Sequence, residues 1–345
     1  MDERWYNQPG ENDDIIMISR IRLLRNFDGF KFPNRMDDDE RRELVDRIDE
    51  KLVGLSEVTG SRIDKIDIDK LDPEERAALR ERLLINGAAM EKNRSCVVYT
   101  GSDEAFSMTV NAEDHIRLIM SAHGQMLNGL YSRMDQVDDF IGSRMPYAFS
   151  KKLGFKTASL SSTGTGLRAY YIMHLPLLSE EASFSELTAE MGKYGVVIKE
   201  SWSQGARKVG GLYVLYNQRT LGMQEKDIID ILTRVAVRLM AEERKLRDSI
   251  DVLSLTDRVM RSYGILSYAR TMDFAEGCRH LSNIMLGAST GVLKVSQGLT
   301  CYELMLGIYP GNLQVYFRQQ MSEQELKEKR AEYLREFMQY IRPMI

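Results

Sequence analysis

Residues 157–178 read T-A-S-L-S-S-T-G-T-G-L-R-A-Y-Y-I-M-H-L-P-L-L, and the rest of the chain is organised around them. Residues 159–163 are small and hydroxylated and follow neither a helical nor a strand period. Gly164-Thr165-Gly166 then permits a sharp bend and a close approach of backbone to ligand, because glycine has no Cβ to clash. Arg168 follows at once and leads into 169–176, which is rich in β-forming residues and is expected as a strand. A loop of free N–H groups and hydroxyls with a guanidinium at its exit suits a phosphate-bearing ligand. An ordinary glycine turn before a strand has the same appearance, so other segments must decide between the two.

Upstream, 14–24 contains I-I-M-I followed by S-R-I-R-L. Read as a strand, it places Arg20 and Arg22 on one face and Ile21 and Leu23 on the other. Neighbouring like charges repel, which a solvated edge strand tolerates and a bound anion would relieve. Residues 37–55 carry a helical apolar stripe through Leu44, Val45, Ile48, Leu52 and Leu55. Pro73 opens a second helix over 74–84. Strands are expected at 95–99 and 105–110 around Gly101-Ser102-Asp103, and again at 116–120, before a helix over 125–149.

Downstream come a helix at 184–194 capped by Ser183 or Ser185, strands at 195–203 and 211–216, and a long helix at 224–250. Beyond 252 no strand is expected. Helices at 253–270, 274–286, 302–309 and 323–340 are separated by Gly287, Gly291, Gly298 and Pro310-Gly311, and a domain boundary falls near 252.

With 345 residues, 43% hydrophobic and 28% charged, the chain is long enough for two or three globular units. A net charge of −4 gives no global field favouring nucleic acid or an anionic membrane. The first fourteen residues lack a signal-peptide apolar segment, and no run approaches membrane-spanning length. Cys96, Cys278 and Cys301 are too scattered for a disulfide framework or paired metal ligands, so a reduced, cytoplasmic protein without a structural metal is expected. His123, His174 and His280 are isolated and read as structural. Trp202 reads as a strand aromatic or as a stacking surface, and the 20 methionines as core packing.

Taken in order, several segments resemble the phosphagen kinases (ATP:guanido phosphotransferases), and most closely the bacterial protein arginine kinases of the McsB type. They are Ser19-Arg20-Ile21-Arg22-Leu23 with Arg25-Asn26, Asn111 with Glu113-Asp114-His115-Ile116-Arg117, Tyr147-Ala148-Phe149 and Leu153-Gly154-Phe155. Gly164-Thr165-Gly166-Leu167-Arg168-Ala169, Met173-His174-Leu175-Pro176, Asn217-Gln218 with Thr220-Leu221-Gly222, and Arg261-Ser262-Tyr263-Gly264-Ile265-Leu266 complete the set.

The resemblance implies an α+β fold. A catalytic domain over 1–251, an antiparallel sheet flanked by helices, would precede a helical domain over 252–345 that dimerises and reads phosphoarginine. It implies transfer of the γ-phosphate of MgATP to a guanidinium nitrogen, which demands positioning and charge neutralisation. Arg20, Arg22, Arg117 and Arg168 match the polyphosphate-binding arginines, with Ser19 and Lys199 in the same nucleotide set. Glu113 matches the carboxylate that aligns the acceptor guanidinium and takes its proton. Arginine-bearing proteins, a partner kinase, a Clp-type protease system and a second copy of the chain are the partners so implied.

Departures from the pattern gather at the centre. Ala112 replaces a second acid, Ser159 a reactive cysteine, and Leu160-Ser161-Ser162 a Pro-Thr-Asn. Leu83 stands for a nucleotide-side histidine, and 199–204, K-E-S-W-S-Q, for R-G-L-Y-G-E, so that Lys199 loses the bidentate fork and Gln204 a carboxylate. In the tail, L-K-E-K-R-A at 326–331 keeps only Arg330-Ala331 of the phosphoarginine-reading R-D-x-x-R-A. Two readings follow: a kinase for guanidino groups working with Glu113 and four arginines, and a silent relative that binds nucleotide, a partner kinase or client proteins. A helical adaptor is a third, but gives no reason for the four arginines.

Overall fold

The computed structural model describes residues 4–91, 95–201, 203–204, 207–208, 210–296 and 298–344. Trp202 and the side chain of Gln204 lie outside what is described.

Strand alternation dominates the first two-thirds of the chain. Eight strands form one sheet: β1 (Ile16–Arg25), β2 (Ile63–Asp67), β3 (Val97–Gly101), β4 (Phe106–Val110), β5 (Ile116–His123), β8 (Leu167–His174), β9 (Val196–Glu200) and β12 (Leu212–Asn217). Short pairs complete the count: β6 (Phe149–Ser150) with β7 (Gly154–Phe155), and β10 (Ser203–Gln204) with β11 (Arg207–Lys208). The order is β2-β3-β4-β5-β1-β8-β12-β9, with every neighbouring pair antiparallel. Thus β1 is a central strand, and the solvated edge strand that its arginines also suggested is excluded.

One face of the sheet is apolar. Ile21, Leu23, Leu118, Met120, Ala169, Tyr171, Tyr213 and Leu215 pack there against α1 (Asp38–Lys51), α4 (Leu127–Arg144) and α6 (Glu225–Ser249). Each fully buried aliphatic side chain contributes roughly 1.5–3 kcal/mol, so this interface is the main cohesive layer. The helix expected over 37–55 stops at Lys51, because Gly54 turns left-handed (φ +94°) before the short α2 (Leu55–Thr59). The helix expected over 125–149 ends at Arg144, and Tyr147 pairs instead with Phe27. Strand β2, with Asp64 and Lys65 exposed at a sheet edge, carries too little apolar period to stand out in the sequence.

The tail comprises α7 (Val252–Tyr268), α8 (Phe274–Ser289), α9 (Cys301–Gly307), α10 (Pro310–Phe317) and α11 (Glu323–Met338). Two expectations fail here. Leu293–Val295 and Ile341–Pro343 pair as a small antiparallel sheet, β13 with β14, which strands so short and far apart do not announce. Pro310 begins a helix at its first position, where the missing N–H costs nothing, rather than breaking one.

A second apolar cluster fastens the tail to the sheet: Trp5, Tyr6, Ile18, Leu177 and Leu212 meet Leu255, Leu281, Tyr302 and Leu334. Buried polar groups reinforce it. Arg247 donates to Glu243 (2.9 Å), Ser289 Oγ (2.9 Å) and the His174 carbonyl (3.2 Å), and His174 Nε2 meets Ser282 Oγ at 2.8 Å. The carboxylate of Glu81, the last residue of α3 (Pro73–Glu81), accepts from the N–H groups of Gly311 and Asn312 at the start of α10, each at 2.8 Å.

Candidate active site

Because residues directly opposite in a ladder share a face, the strand register locates the charges. Arg22 lies opposite Arg168 of β8, and Arg20 opposite Tyr170. Across the other edge of β1, Arg20 faces Ser121 and Leu24 faces Arg117. Tyr216 of β12 lies opposite Tyr170, and Lys199 of β9 opposite Val214. Arg20, Arg22, Arg117, Arg168 and Lys199 therefore share the sheet face opposite α1, α4 and α6. The sequence separation between Arg20 and Lys199 is closed entirely by strand pairing.

These cations lack the carboxylates that usually accompany them. Among the described residues none of the five makes an ion pair within 4 Å. Their polar contacts are neutral: Arg20 Nε donates to Ser121 Oγ (2.9 Å) and Arg22 Nη2 to Ser162 Oγ (3.2 Å). Arg22 Nε, Arg117 Nη1 and Arg168 Nε are buried without any partner. A buried donor left unpaired costs about 1–3 kcal/mol, a cost that an anion accepting from these nitrogens would remove. Burial, with repulsion from Arg22, pushes the Arg117 pKa down to about 10. Burial and Arg22 also lower Arg168, and burial lowers Arg20.

Glu113 is the exposed residue of an otherwise buried turn between β4 and β5 and opposes the shift on Arg117 electrostatically. Its neighbours hold that turn. Asp114 Oδ1 accepts from Asn26 Nδ2 (2.6 Å) and from the Ala158 N–H (2.7 Å), tying the Glu113 turn to the serine-rich loop; burial raises its pKa. His115 Nδ1 accepts the Phe27 N–H (2.9 Å), so Nε2 carries the proton donated to the Lys31 carbonyl (2.7 Å). The family resemblance includes Asn26, Asp114 and His115 but assigns them no task; the polar runs Arg25-Asn26 and Glu113-Asp114-His115 are the available signal. Ala112 is enclosed, at 1% exposure.

Three expectations need correction. The loop at Gly164-Thr165 does not offer its N–H groups freely to a ligand, since they are bonded within the protein. The Gly164 N–H donates to Phe155 O (3.3 Å), Thr165 N–H to Thr220 O (3.4 Å) and Leu167 N–H to Thr165 Oγ1 (3.2 Å). Both glycines are left-handed, and a Cβ would lie 2.6 Å from Thr220 O at 164, or from Arg25 Nη1 and Leu24 O at 166. They are glycines so that protein can approach protein. Ser19 alternates with Arg20 and faces the helices, its Oγ donating to Gly124 O (2.6 Å) and accepting the Met126 N–H (2.8 Å) ahead of α4. Arg330 is buried and donates to the carbonyls of Ile308 (2.8 Å) and Met272 (2.9 Å), while Ala331 is buried beside it, so neither is presented to a ligand.

Ser159 is exposed on its loop, 2.9 Å from Ser161 Oγ, and Lys199 is exposed at the sheet edge. Leu83 follows α3 in a left-handed conformation (φ +66°), and the Leu84 carbonyl accepts Ser107 and Thr109 hydroxyls (3.0 and 3.4 Å) beside the cationic strands. Among the described residues no helix is long and apolar enough to cross a membrane, and no His, Cys, Asp and Glu group could hold a metal ion.

Comparison with known proteins matches this arrangement to a family. The family model for the ATP:guanido phosphotransferase C-terminal catalytic domain matches residues 43–246, and that for the protein-arginine kinase McsB C-terminal domain matches 252–344. Protein-arginine kinases of Halalkalibacterium halodurans and Halothermothrix orenii are 33% and 34% identical over 334 residues, 96% of this chain and 94% and 95% of theirs. Lombricine kinase shares the fold at TM-score 0.60 and 20% identity, over 73% of this chain and 74% of its own. The duplicated taurocyamine kinase of Schistosoma mansoni does so at TM-score 0.60 and 22% identity, over 74% of this chain and 39% of its own. Matched over most of its catalytic half by the family model and end to end by relatives a third identical, the chain belongs to the ATP:guanido phosphotransferases, a family of guanidino-group kinases.

Proposed function

We propose that this protein transfers the γ-phosphoryl group of MgATP to a guanidinium nitrogen of arginine in a protein substrate. The observation that supports it most is the gathering of Arg20, Arg22, Arg117 and Arg168 on one sheet face, three of them with an unpaired buried nitrogen, beside the exposed Glu113. Such a face suits a polyphosphate and the charge that spreads over a transferring phosphoryl group. Glu113 takes one proton from the acceptor guanidinium as its nitrogen bonds to phosphorus and the bond to the ADP oxygen breaks. Mg²⁺ enters with the nucleotide and neutralises phosphate charge.

A second reading, a silent relative that keeps nucleotide binding, is favoured by Ala112 and Ser159, where the proton-handling and thiolate groups expected from the family are missing. Labelled MgATP with an arginine-rich protein, scored for acid-labile phosphate, separates the two. Glu113→Gln should abolish transfer while MgADP still raises the melting temperature. A wild type as inert as Glu113→Gln, with both binding MgADP, would leave the silent reading.

The tail after residue 251 is taken as a separate dimerising domain. Val252, Leu253, Ile265 and Tyr268 are exposed apolar residues at the two ends of α7, consistent with a homodimer. A monomer in sedimentation of the full chain at micromolar concentration would remove that part of the reading. Three free thiols fit a reducing cytoplasmic setting.

A further inference from the structure

We propose that Tyr216 is a positioning residue of the phosphate-binding face, its ring holding the Arg168 guanidinium and the Lys199 ammonium where a polyphosphate would meet them. The inference rests on the nucleotide site argued above and adds a member that the motif comparison did not contain. Arg168 Cζ lies 5.3 Å and Lys199 Nζ 5.4 Å from the centroid of the Tyr216 ring. The ring is itself held against Tyr170, with centroids 5.9 Å apart and planes at 40°. Tyr170 in turn lies directly across the ladder from Arg20, so one row of the sheet carries ring, ring and cation.

The physical need is specific. Arg168 is directly opposite Arg22, and the two repel. Lys199 stands at the last strand of the sheet, exposed on a flexible four-carbon stem that lacks the planar fork of arginine. Carboxylate partners would fix both cations but would cancel the charge that phosphate requires. The negative face of an aromatic ring attracts a cation while leaving its charge in place. Tyr213 and Leu215 of the same strand belong to the helix-packed core, whereas Tyr216 is half-buried on the cationic face. Its orientation is thus set by strand alternation, and hydrophobic burial alone does not account for it.

The test is MgADP affinity by calorimetry on the full chain, comparing wild type, Tyr216→Phe and Tyr216→Leu. Phe keeps the π face and should bind within about twofold of wild type; Leu keeps apolar bulk without that face and should bind about tenfold more weakly. The melting curves without nucleotide should overlay. If Leu disturbs the unliganded melt, Tyr216→Val, which suits a strand, takes its place. Equal affinity of the Phe and Leu variants, at the wild-type value or below it, overturns the role assigned to the ring. A wild type that does not bind MgADP at millimolar concentration overturns the nucleotide site and this inference together, a failure distinct from the former.

Discussion

Gly166→Ala discriminates between the two roles that a glycine loop beside a phosphate site can have. Gly166 has φ +68°, where an alanine is strained by about 1–2 kcal/mol. Its new Cβ would lie 2.6 Å from Arg25 Nη1 and from Leu24 O, so one of them has to move. Arg25 is 1% exposed and is bonded to Thr165 O (2.7 Å), Leu24 O (3.1 Å) and both carboxylate oxygens of Asp138, the shortest at 2.6 Å. Breaking such a buried pair costs about 3–5 kcal/mol. If Arg25 yields, the loss totals about 4–7 kcal/mol from these two terms; if the strand end shifts instead, backbone strain alone sets a floor near 1 kcal/mol. Urea unfolding with and without MgADP is the assay. The loss should appear in full without nucleotide, and whatever protein stays folded should still be stabilised by MgADP. A variant as stable as wild type that has lost the MgADP effect would refute the reasoning, because the glycine would then be serving the ligand.

Two further outcomes follow from buried groups. All four histidines, His115, His123, His174 and His280, are held below the ordinary imidazole pKa, chiefly by burial. Each binds a proton less readily folded than unfolded, so stability should fall as pH drops below about 6.5, by up to about 1.4 kcal/mol per pH unit for each histidine. Urea midpoints at pH 7.5 and 5.5 check this; an unchanged midpoint would contradict it, and His174→Asn should flatten the slope. Arg330→Met should lower stability by about 2–4 kcal/mol, since the Ile308 and Met272 carbonyls lose their donor, and leave the MgADP effect unaltered. An undiminished urea midpoint together with lost phosphoarginine binding would instead make Arg330 a reader of that ligand.

Much of the architecture was legible because alternation is a local property. Arg20, Ile21, Arg22 and Leu23 announce two faces in four residues, and the structure keeps both. The same alternation already separates Ser19 from Arg20, so grouping Ser19 with the nucleotide residues followed the motif against the period of the strand. What alternation could not reveal is which partner each polar or glycine residue meets across the chain. Gly166 is compressed by Arg25, Arg330 is consumed by the carbonyls of residues 272 and 308, and β13 finds β14 nearly fifty residues later; each depends on tertiary pairing.

The site departures divide along a physical line. Arginines that act through charge remain at Arg20, Arg22, Arg117 and Arg168, and a cation remains at Lys199. The altered neighbours are Ala112, which cannot take a proton, and Ser159, which carries no thiolate at neutral pH. Charge neutralisation needs only cations at the right places, whereas proton transfer needs a base within reach of one acceptor nitrogen. In the function proposed above, the four arginines and Lys199 would bind the polyphosphate and the chemistry would rest on Glu113 alone. That carboxylate projects from a buried turn held in place by Asn26, Asp114 and His115, so a single base would stand on a fixed frame even with the enclosed methyl group of Ala112 beside it.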